Sequence, residues 1–355
     1  MKKILPLNTN VEIYSECWTH MRLAFILSRS EYYPWYCENL NNYYIENKFY
    51  SIEFDHAFTS SYFEIYKSIL NDKTLEINAE TKDEIVNTIN NNGYLILFCN
   101  YEYLFPLEED KTNHEILIFG YDNEEKTFLT YLHYKNKWII KSVNQKKVIE
   151  SVYKAIYSQE DYFLRSIRFQ LPCIAYFFKE NIQENLNVKT IFLQLSKYLE
   201  GSCFKNLSCQ SHQWIPENKQ LDSYDVYFGI SVYDAYTKEL LEDIKENAEN
   251  IRDYLFRGIE HLLASKREME NKVKFICNRY NCNYNFVLNN RKVIDNLIIF
   301  RNFLMKYYFN SNLDDVKRAI SILDETKKMD QIYYANTLEI LQNIIEKEVY
   351  FGEDF

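Results

Sequence analysis

The fold is decided by residues 114–143, which read HEILIFGYDNEEKTFLTYLHYKNKWIIKSV. Apolar, aromatic and β-branched side chains dominate three runs within this stretch, at 114–122, 126–135 and 137–143, separated only by NEE and by a single Asn. A fourth β-rich run, YLILFCNYEYL, occupies residues 94–104. Consecutive strands with short connections form antiparallel meanders, so we predict an antiparallel sheet here.

Segments with helical spacing of apolar residues lie on both sides of these strands. They are residues 15–28, 61–71, 80–92 and 148–158. Residues 163–178 fit either a strand pair or a link, and from about residue 183 onward the pattern predicts mostly helix. Helices followed by an antiparallel sheet indicate the α+β class. We predict an α+β domain of residues 1–165 and a mostly helical domain of residues 166–355 packed on it.

The overall composition excludes several classes of partner. The 355-residue chain has a net charge of −10 and a pI near 5.3. Nucleic-acid binding needs a basic face, so we expect no nucleic-acid partner. No apolar run approaches the roughly 20 residues of a membrane span, and the start MKKILPLNTN lacks the apolar core of a signal peptide. Six glycines leave no Gly-rich phosphate loop. We expect a cytoplasmic protein that binds no membrane.

The eight cysteines are scattered along the chain. None forms a CxxC pair, and no Cys/His cluster has the spacing of a zinc site. We therefore expect reduced thiols, most of them filling the core, and no structural metal.

One cysteine stands in a chemically distinctive place, in SECWTH at residues 15–20. Ser15 is a typical helix N-cap residue, and Cys17 follows in the first turn of the predicted helix. A thiol there is either a small apolar side chain or an activated nucleophile, because the free N–H groups of a helix start favour an anion.

A nucleophilic cysteine needs a base to take its proton, and the sequence offers six histidines. His20 shares the helix with Cys17 but is expected to point away from the attacking side of the thiol. His114 opens the strand HEILIFGYD, and a base at the start of such a strand faces the helix end in cysteine hydrolases built from a helix followed by a sheet. We predict that His114 is the base. His133 also lies on the sheet, and no partner can be assigned to the remaining three, His56, His212 and His261.

These segments carry a resemblance. A Cys-Trp pair at a helix start, followed by a His-initiated strand that ends in GYD, resembles papain-like cysteine peptidases of the bacteriocin-processing type. The stretches at 6–36 and 113–128 are similar to the N-terminal domain of the butirosin biosynthesis protein H family. The stretches YFGISVYDAYTKELLEDI (227–244) and NIRDYLFRGIEHLLASKREM (250–269) are similar to the helical C-terminal part of that family.

The resemblance implies a papain-like catalytic domain and an amide-forming acyltransferase. Such an enzyme takes an acyl or peptidyl chain from the phosphopantetheine thioester of a carrier protein and passes it, through an acyl-enzyme on Cys17, to an amine. Amide ligases of nonribosomal, thiotemplated antibiotic biosynthesis, such as that of closthioamide, act in this way. The expected partners are an acyl or peptidyl carrier protein and a small amine, with no bound cofactor.

Two features depart from the papain pattern. The glutamine expected six residues before the nucleophile is replaced by Val11. The backbone N–H of Cys17 is then joined in the oxyanion hole by Asn10 or Asn8, and we favour Asn10.

The second departure concerns the residue that orients the base. Pairing about the turn at 123–125 brings Leu132, His133 and Tyr134 opposite His114, and none of them is Asp or Asn. Asn136 reaches this level only if the pairing slips. The site is therefore a dyad, or its third member comes from elsewhere.

Two other functions remain open on the sequence alone. A cysteine peptidase or thioesterase would use the same Cys-His pair. A non-catalytic papain-like module that docks a carrier or peptide is also compatible with the missing third residue.

Overall fold

The structure is a computed structural model of the full chain. It describes residues 1–13, 17–46, 52–54, 64–106, 113–135, 137–157, 173–180, 185–207, 224–245 and 253–351. The strands within these ranges are β1 Lys2–Ile4, β2 Tyr43–Glu46, β3 Ile52–Phe54, β4 Leu70–Thr74, β5 Tyr94–Asn100, β6 Asn113–Asp122, β7 Thr127–Tyr134, β8 Lys137–Asn144, β9 Cys173–Phe178, β10 Ser202–Leu207 and β11 Tyr224–Phe228. The α-helices are α1 Cys17–Ile26, α2 Tyr33–Glu38, α3 Thr81–Asn90, α4 Tyr101–Leu104, α5 Gln145–Tyr157, α6 Val188–Glu200, α7 Val232–Lys245, α8 Asp253–Arg279, α9 Val287–Asn310 and α10 Leu313–Phe351.

The chain divides into two compact units. Unit 1 comprises Met1–Tyr33, Ser60–Glu184 and Gln210–Gln220, and unit 2 comprises Pro34–Thr59, Asn185–Cys209 and Leu221–Phe355. These units do not follow the predicted boundary between residues 165 and 166. Strand β9, placed in the second domain by the prediction, pairs within the sheet of unit 1. Strands β2 and β3, placed in the first domain, pair within the sheet of unit 2.

Unit 1 contains an antiparallel sheet in the order β4-β9-β5-β6-β7-β8, with β1 pairing against the end of β6. The predicted four-stranded meander is confirmed, because β5, β6, β7 and β8 are consecutive neighbours. β9 lies in the segment that the sequence left ambiguous, and it inserts between β4 and β5. The register pairs His114 with Cys99, so His114 stands at the beginning of an interior strand.

Helix α1 packs on the sheet against β6 and β7. Its central side chains are fully buried: Met21, Leu23, Ala24, Phe25 and Ile26. A helix with apolar side chains on most of its surface requires such burial. Gly120 in β6 permits the close approach of β1, since a Cβ at this position would lie 2.8 Å from the carbonyl oxygen of Lys3. The packing fixes the start of α1 relative to the start of β6.

One helix prediction in unit 1 is wrong. Of the predicted helix 61–71, residues 64–68 form a 3-10 helix and β4 begins at Leu70, while 61–63 lie outside the described residues. Pairing of β4 with β9 overrides the local helical spacing. The helix predicted at 80–92 is confirmed as α3 and that at 148–158 as α5, each with shifted ends.

Unit 2 contains α6 to α10 together with a four-stranded antiparallel sheet in the order β10-β11-β2-β3. The prediction of mostly helix after residue 183 is correct for these helices but missed β10 and β11. The longest helix, α10, has 39 residues and contacts α6, α7 and α9. The chain is therefore a mixed α and β protein with an antiparallel sheet and a C-terminal helical region, as the sequence predicted at this level.

Candidate active site

The candidate nucleophile occupies the first position of a helix. α1 begins at Cys17, while the predicted cap Ser15 lies outside the described residues. The side chain of Cys17 is partly exposed. Backbone N–H groups in the first turn of a helix have no intrahelical partner, and the helix dipole is positive there. This position favours a thiolate over a thiol.

The Cys17 sulfur contacts the predicted base directly. Its Sγ lies 3.3 Å from Nε2 of His114, although the two residues are 97 positions apart in the chain. The His114 side chain is 22% exposed, so the contact is accessible to a reactant. The packing of α1 on β6 produces this approach. Each catalytic role remains a prediction, but the geometry that the roles require is present.

The other nitrogen of the His114 ring faces the next residue along the strand. Nδ1 lies 3.2 Å from the carbonyl oxygen of Glu115 and 3.5 Å from its carboxylate Oε2. The Glu115 side chain is 5% exposed. The sequence does not point to Glu115, because side chains of adjacent strand residues leave opposite faces of a sheet, and a partner for His114 is therefore expected on the facing strand. The feature of the sequence that could have identified Glu115 is an acidic side chain directly before the apolar run of β6.

The facing strand supplies a second imidazole near His114. The rings of His114 and His133 are 6.2 Å apart and nearly parallel. On the other side, the Tyr101 ring centre is 5.3 Å from the His114 ring centre, and the Tyr101 hydroxyl donates to the Glu115 carbonyl oxygen at 3.2 Å. Asn136 lies outside the described residues.

His20 is buried and both its ring nitrogens are engaged. Nδ1–H donates to the carbonyl oxygen of Ile13 at 2.8 Å, and the Tyr131 hydroxyl donates to Nε2 at 2.8 Å. The ring stacks on Trp138 with 4.0 Å between centroids. Burial lowers the pKa of His20 to about 4, so the ring is neutral at pH 7. His20 anchors the segment that precedes Cys17 instead of serving as the base.

The neutral state of His20 predicts a loss of stability in acid. The folded-state pKa lies below the ordinary value near 6.5, so the unfolded chain binds more protons between pH 6.5 and 4 and stability falls as the pH falls through this window. We expect His20 to contribute about 2–3 kcal/mol to the loss between pH 7 and pH 4.5. Urea unfolding of the natural chain and of His20→Phe at pH 7 and pH 4.5 measures this loss of unfolding free energy. Equal losses for the two chains would contradict the prediction.

The predicted oxyanion residue Asn10 is exposed, and its backbone N–H donates to Oδ1 of Asn8 at 2.9 Å. Its role remains a prediction. Asn8 is held at the opposite end of α1, since its N–H donates to the Ala24 carbonyl oxygen and its Nδ2 to that of Leu27. At 1.5 Å per residue the Ala24 carbonyl lies about 10 Å along the helix from Cys17, and the Asn8 alternative, like Asn10, remains a prediction.

Most of the other described cysteines are core residues, as predicted. Cys37, Cys99, Cys173 and Cys277 are buried. Burial raises the pKa of Cys37 and of Cys99 to about 12 and that of Cys277 to about 11, so these thiols are not ionised at neutral pH. Cys203 is exposed and serves below as a reference thiol. Cys17 combines partial exposure with a histidine contact.

The chain matches no protein-family model, and no curated protein matches it at a significant level. Within the described ranges, no group of three His, Cys, Asp or Glu side chains is arranged to hold a metal ion. Of the helices in this part of the chain, none has the length and apolar character that crossing a bilayer requires. The fold and the site together define a mixed α and β protein with a cysteine–histidine pair where a helix packs on a sheet.

Proposed function

We propose that the chain is an amide-forming acyltransferase with a papain-like catalytic unit, in which Cys17 is the nucleophile and His114 the base. It takes an acyl or peptidyl chain from the phosphopantetheine thioester of a carrier protein and transfers it to an amine in antibiotic biosynthesis. The observation that carries the proposal is the 3.3 Å contact between Sγ and Nε2 at the start of α1. The similarity of residues 6–36 and 113–128 to the butirosin biosynthesis protein H family supplies the substrate class.

Each step of the proposed reaction can be written with Cys17 and His114 so that all bonds and protons are accounted for. His114 Nε2 accepts the proton of the Cys17 thiol, and the thiolate attacks the carbonyl carbon of the carrier thioester. The bond from this carbon to the carrier sulfur breaks, and the carrier thiol leaves with the proton from the imidazolium. An amine then attacks the acyl carbon on Cys17 and gives a proton to His114. The bond from this carbon to the Cys17 sulfur breaks, and the sulfur takes the proton back from the imidazolium, so the Cys17 thiol forms again. The reaction converts a thioester and an amine into an amide and a thiol, so no separate activation step is needed.

Aromatic residues lie near His114 and near its neighbour His133, and we propose that they help to favour transfer to an amine over transfer to water. Tyr101 lies beside the His114 ring, and Trp138 lies 5.4 Å from the His133 ring. Apolar surroundings lower the local concentration of water, which competes with the amine for the acyl-enzyme.

Product analysis with an acylated carrier protein tests the proposal. With an amine present we expect the amide as the main product, and without it an acyl-enzyme visible by intact mass. Formation of the free acid alone, with or without amine, would overturn the transferase proposal in favour of a thioesterase or peptidase. Absence of any acyl-enzyme and of any product would favour a docking module.

A further inference from the structure

The acidic residue directly after the base has no role in the chemistry described so far. We propose that Glu115 is the positioning residue of this site, whose carboxylate orients the His114 ring and stabilises its protonated form. This inference depends on the proposed function, because it assigns the third member of the same site. Glu115 acts through His114 and does not contact a substrate.

Two acceptor oxygens lie near one nitrogen of the His114 ring and indicate how the ring is oriented. Both the carbonyl oxygen and the carboxylate Oε2 of Glu115 lie near Nδ1 of His114, at 3.2 Å and 3.5 Å. Two acceptors at this position favour the tautomer with the proton on Nδ1. Nε2 then presents its lone pair to the Cys17 sulfur, which is the arrangement that a general base requires.

The burial of the Glu115 carboxylate indicates that it stabilises a positive charge on His114. Glu115 is almost fully buried, and its second carboxylate oxygen, Oε1, has no hydrogen-bond partner among the described residues. An isolated buried carboxylate is unfavourable unless a positive charge compensates it. An imidazolium at 3.5 Å supplies this charge whenever the proton of Cys17 moves to His114. The Glu115 carboxylate therefore favours the thiolate–imidazolium pair over the neutral thiol–imidazole pair.

Another positive charge in unit 1, the Arg22 guanidinium, is the same whether or not the Cys17 proton has moved to His114, so it does not change the difference that Glu115 makes between these two states. The Arg22 guanidinium on α1 is buried and donates to the Tyr176 hydroxyl on β9 at 2.5 Å. Burial raises the pKa of Tyr176, with smaller contributions from the charges of Asp72 on β4 and of Glu115, while Arg22 opposes the shift, so this phenol stays neutral. The buried Cys99 thiol on β5, the His133 ring on β7 and Cys17 on α1 lie next to His114, and the Tyr101 hydroxyl on α4 donates to the backbone oxygen of Glu115.

The variant Glu115→Gln keeps the shape of the side chain and removes its charge. We expect the rate of alkylation of Cys17 by iodoacetamide to fall about tenfold at pH 6.5 and to recover at pH 9.5, where a thiol ionises without help. Peptide mass spectrometry separates Cys17 from the exposed Cys203, which reports the intrinsic reactivity of the reagent. A purely structural effect would change the rate by the same factor at both pH values.

Glu84→Gln is the matched control, because Glu84 of α3 in the same unit also has a buried carboxylate oxygen without a hydrogen-bond partner among the described residues. We expect it to alkylate like the natural chain at both pH values. If Glu115→Gln does not fold, Glu115→Asp replaces it, since it retains the charge with a shorter side chain. Reactivity at pH 6.5 within about threefold of the natural chain supports the proposal, and the reactivity of an ordinary thiol overturns it.

Failure of the proposed function and failure of the proposed role of Glu115 give different results. If Cys17 of the natural chain reacts at pH 6.5 no faster than Cys203, the thiolate–imidazolium pair is absent and the proposed function itself fails. If Cys17 is reactive at pH 6.5 and Glu115→Gln leaves its rate unchanged, only the role of Glu115 is overturned.

Discussion

Replacing Cys17 by alanine is expected to lower amide formation from a carrier thioester by at least about 10⁴-fold, because the proposed covalent intermediate forms on the Cys17 sulfur. Helix α1 should remain folded, since its buried contacts come from the residues that follow and Cys17 is partly exposed. Product formation is measured by mass spectrometry, and the acyl-enzyme by the intact mass of the protein.

Two further variants make this result specific. Cys203→Ala removes an exposed thiol and should retain full turnover. His114→Ala keeps the Cys17 thiol but removes its proposed base, so alkylation at neutral pH should fall to the rate of an ordinary thiol. Wild-type turnover in Cys17→Ala would show that the sulfur is not the nucleophile, and wild-type turnover in His114→Ala would show that another group takes the proton.

The pairing of Cys17 with His114 was predictable because its signals are local. A cysteine at a helix start and a histidine at a strand start each occupy a position with defined chemistry, and the order of helix and sheet suggested that they meet. The Glu115 contact was not predictable in the same way. Strand alternation places neighbouring side chains on opposite faces, and only coordinates show a carboxylate near Nδ1 of His114.

The strands that the sequence missed depend on long-range pairing. β4 begins within the segment 61–71 that has helical spacing, and its strand conformation comes from pairing with β9. In unit 2, the pairing of β2 with β11 joins Tyr44 to Phe228, which are far apart in the chain. Short strands of this kind have little periodicity of their own, and the partner that stabilises them cannot be read from the local sequence.

The burial of a charged side chain of a long helix also could not be predicted from the sequence. Lys266 lies among the charged residues of α8 and reads as a solvated side chain, but both Lys266 and Asp330 are fully buried. The Lys266 Nζ donates to Oδ2 of Asp330 at 2.6 Å, and the Tyr198 hydroxyl donates to the same oxygen at 2.5 Å. The Tyr233 hydroxyl donates to it at 3.2 Å. Two of the abundant tyrosines, Tyr198 and Tyr233, therefore hydrogen-bond an ion pair in the core of unit 2.

Asp330→Asn is expected to destabilise the chain by about 3–5 kcal/mol at pH 7, because it leaves the Lys266 ammonium buried without a counter-charge. Burial already lowers the pKa of Lys266 to about 8, although Asp330 opposes this shift. Since the unfolded-state pKa is near 10.5, the unfolded chain binds more protons above pH 8, and this lysine makes stability rise with pH between about 8 and 10.5. Without Asp330 this rise begins at lower pH. The loss in Asp330→Asn should therefore be smaller at pH 9.5 than at pH 7.

Urea unfolding followed by helical circular dichroism measures this difference. Asp234→Asn is the matched control, because its carboxylate pairs with Lys327 while 54% exposed, and we expect a loss below about 1 kcal/mol. The double variant Lys266→Met with Asp330→Leu removes both charges and should recover most of the stability that Asp330→Asn loses, since no unpaired charge remains. A loss in Asp330→Asn that is equal at pH 7 and 9.5, or that the double variant does not relieve, would show that the tyrosine hydrogen bonds to Asp330, not the charge of Lys266, determine the stability of this core.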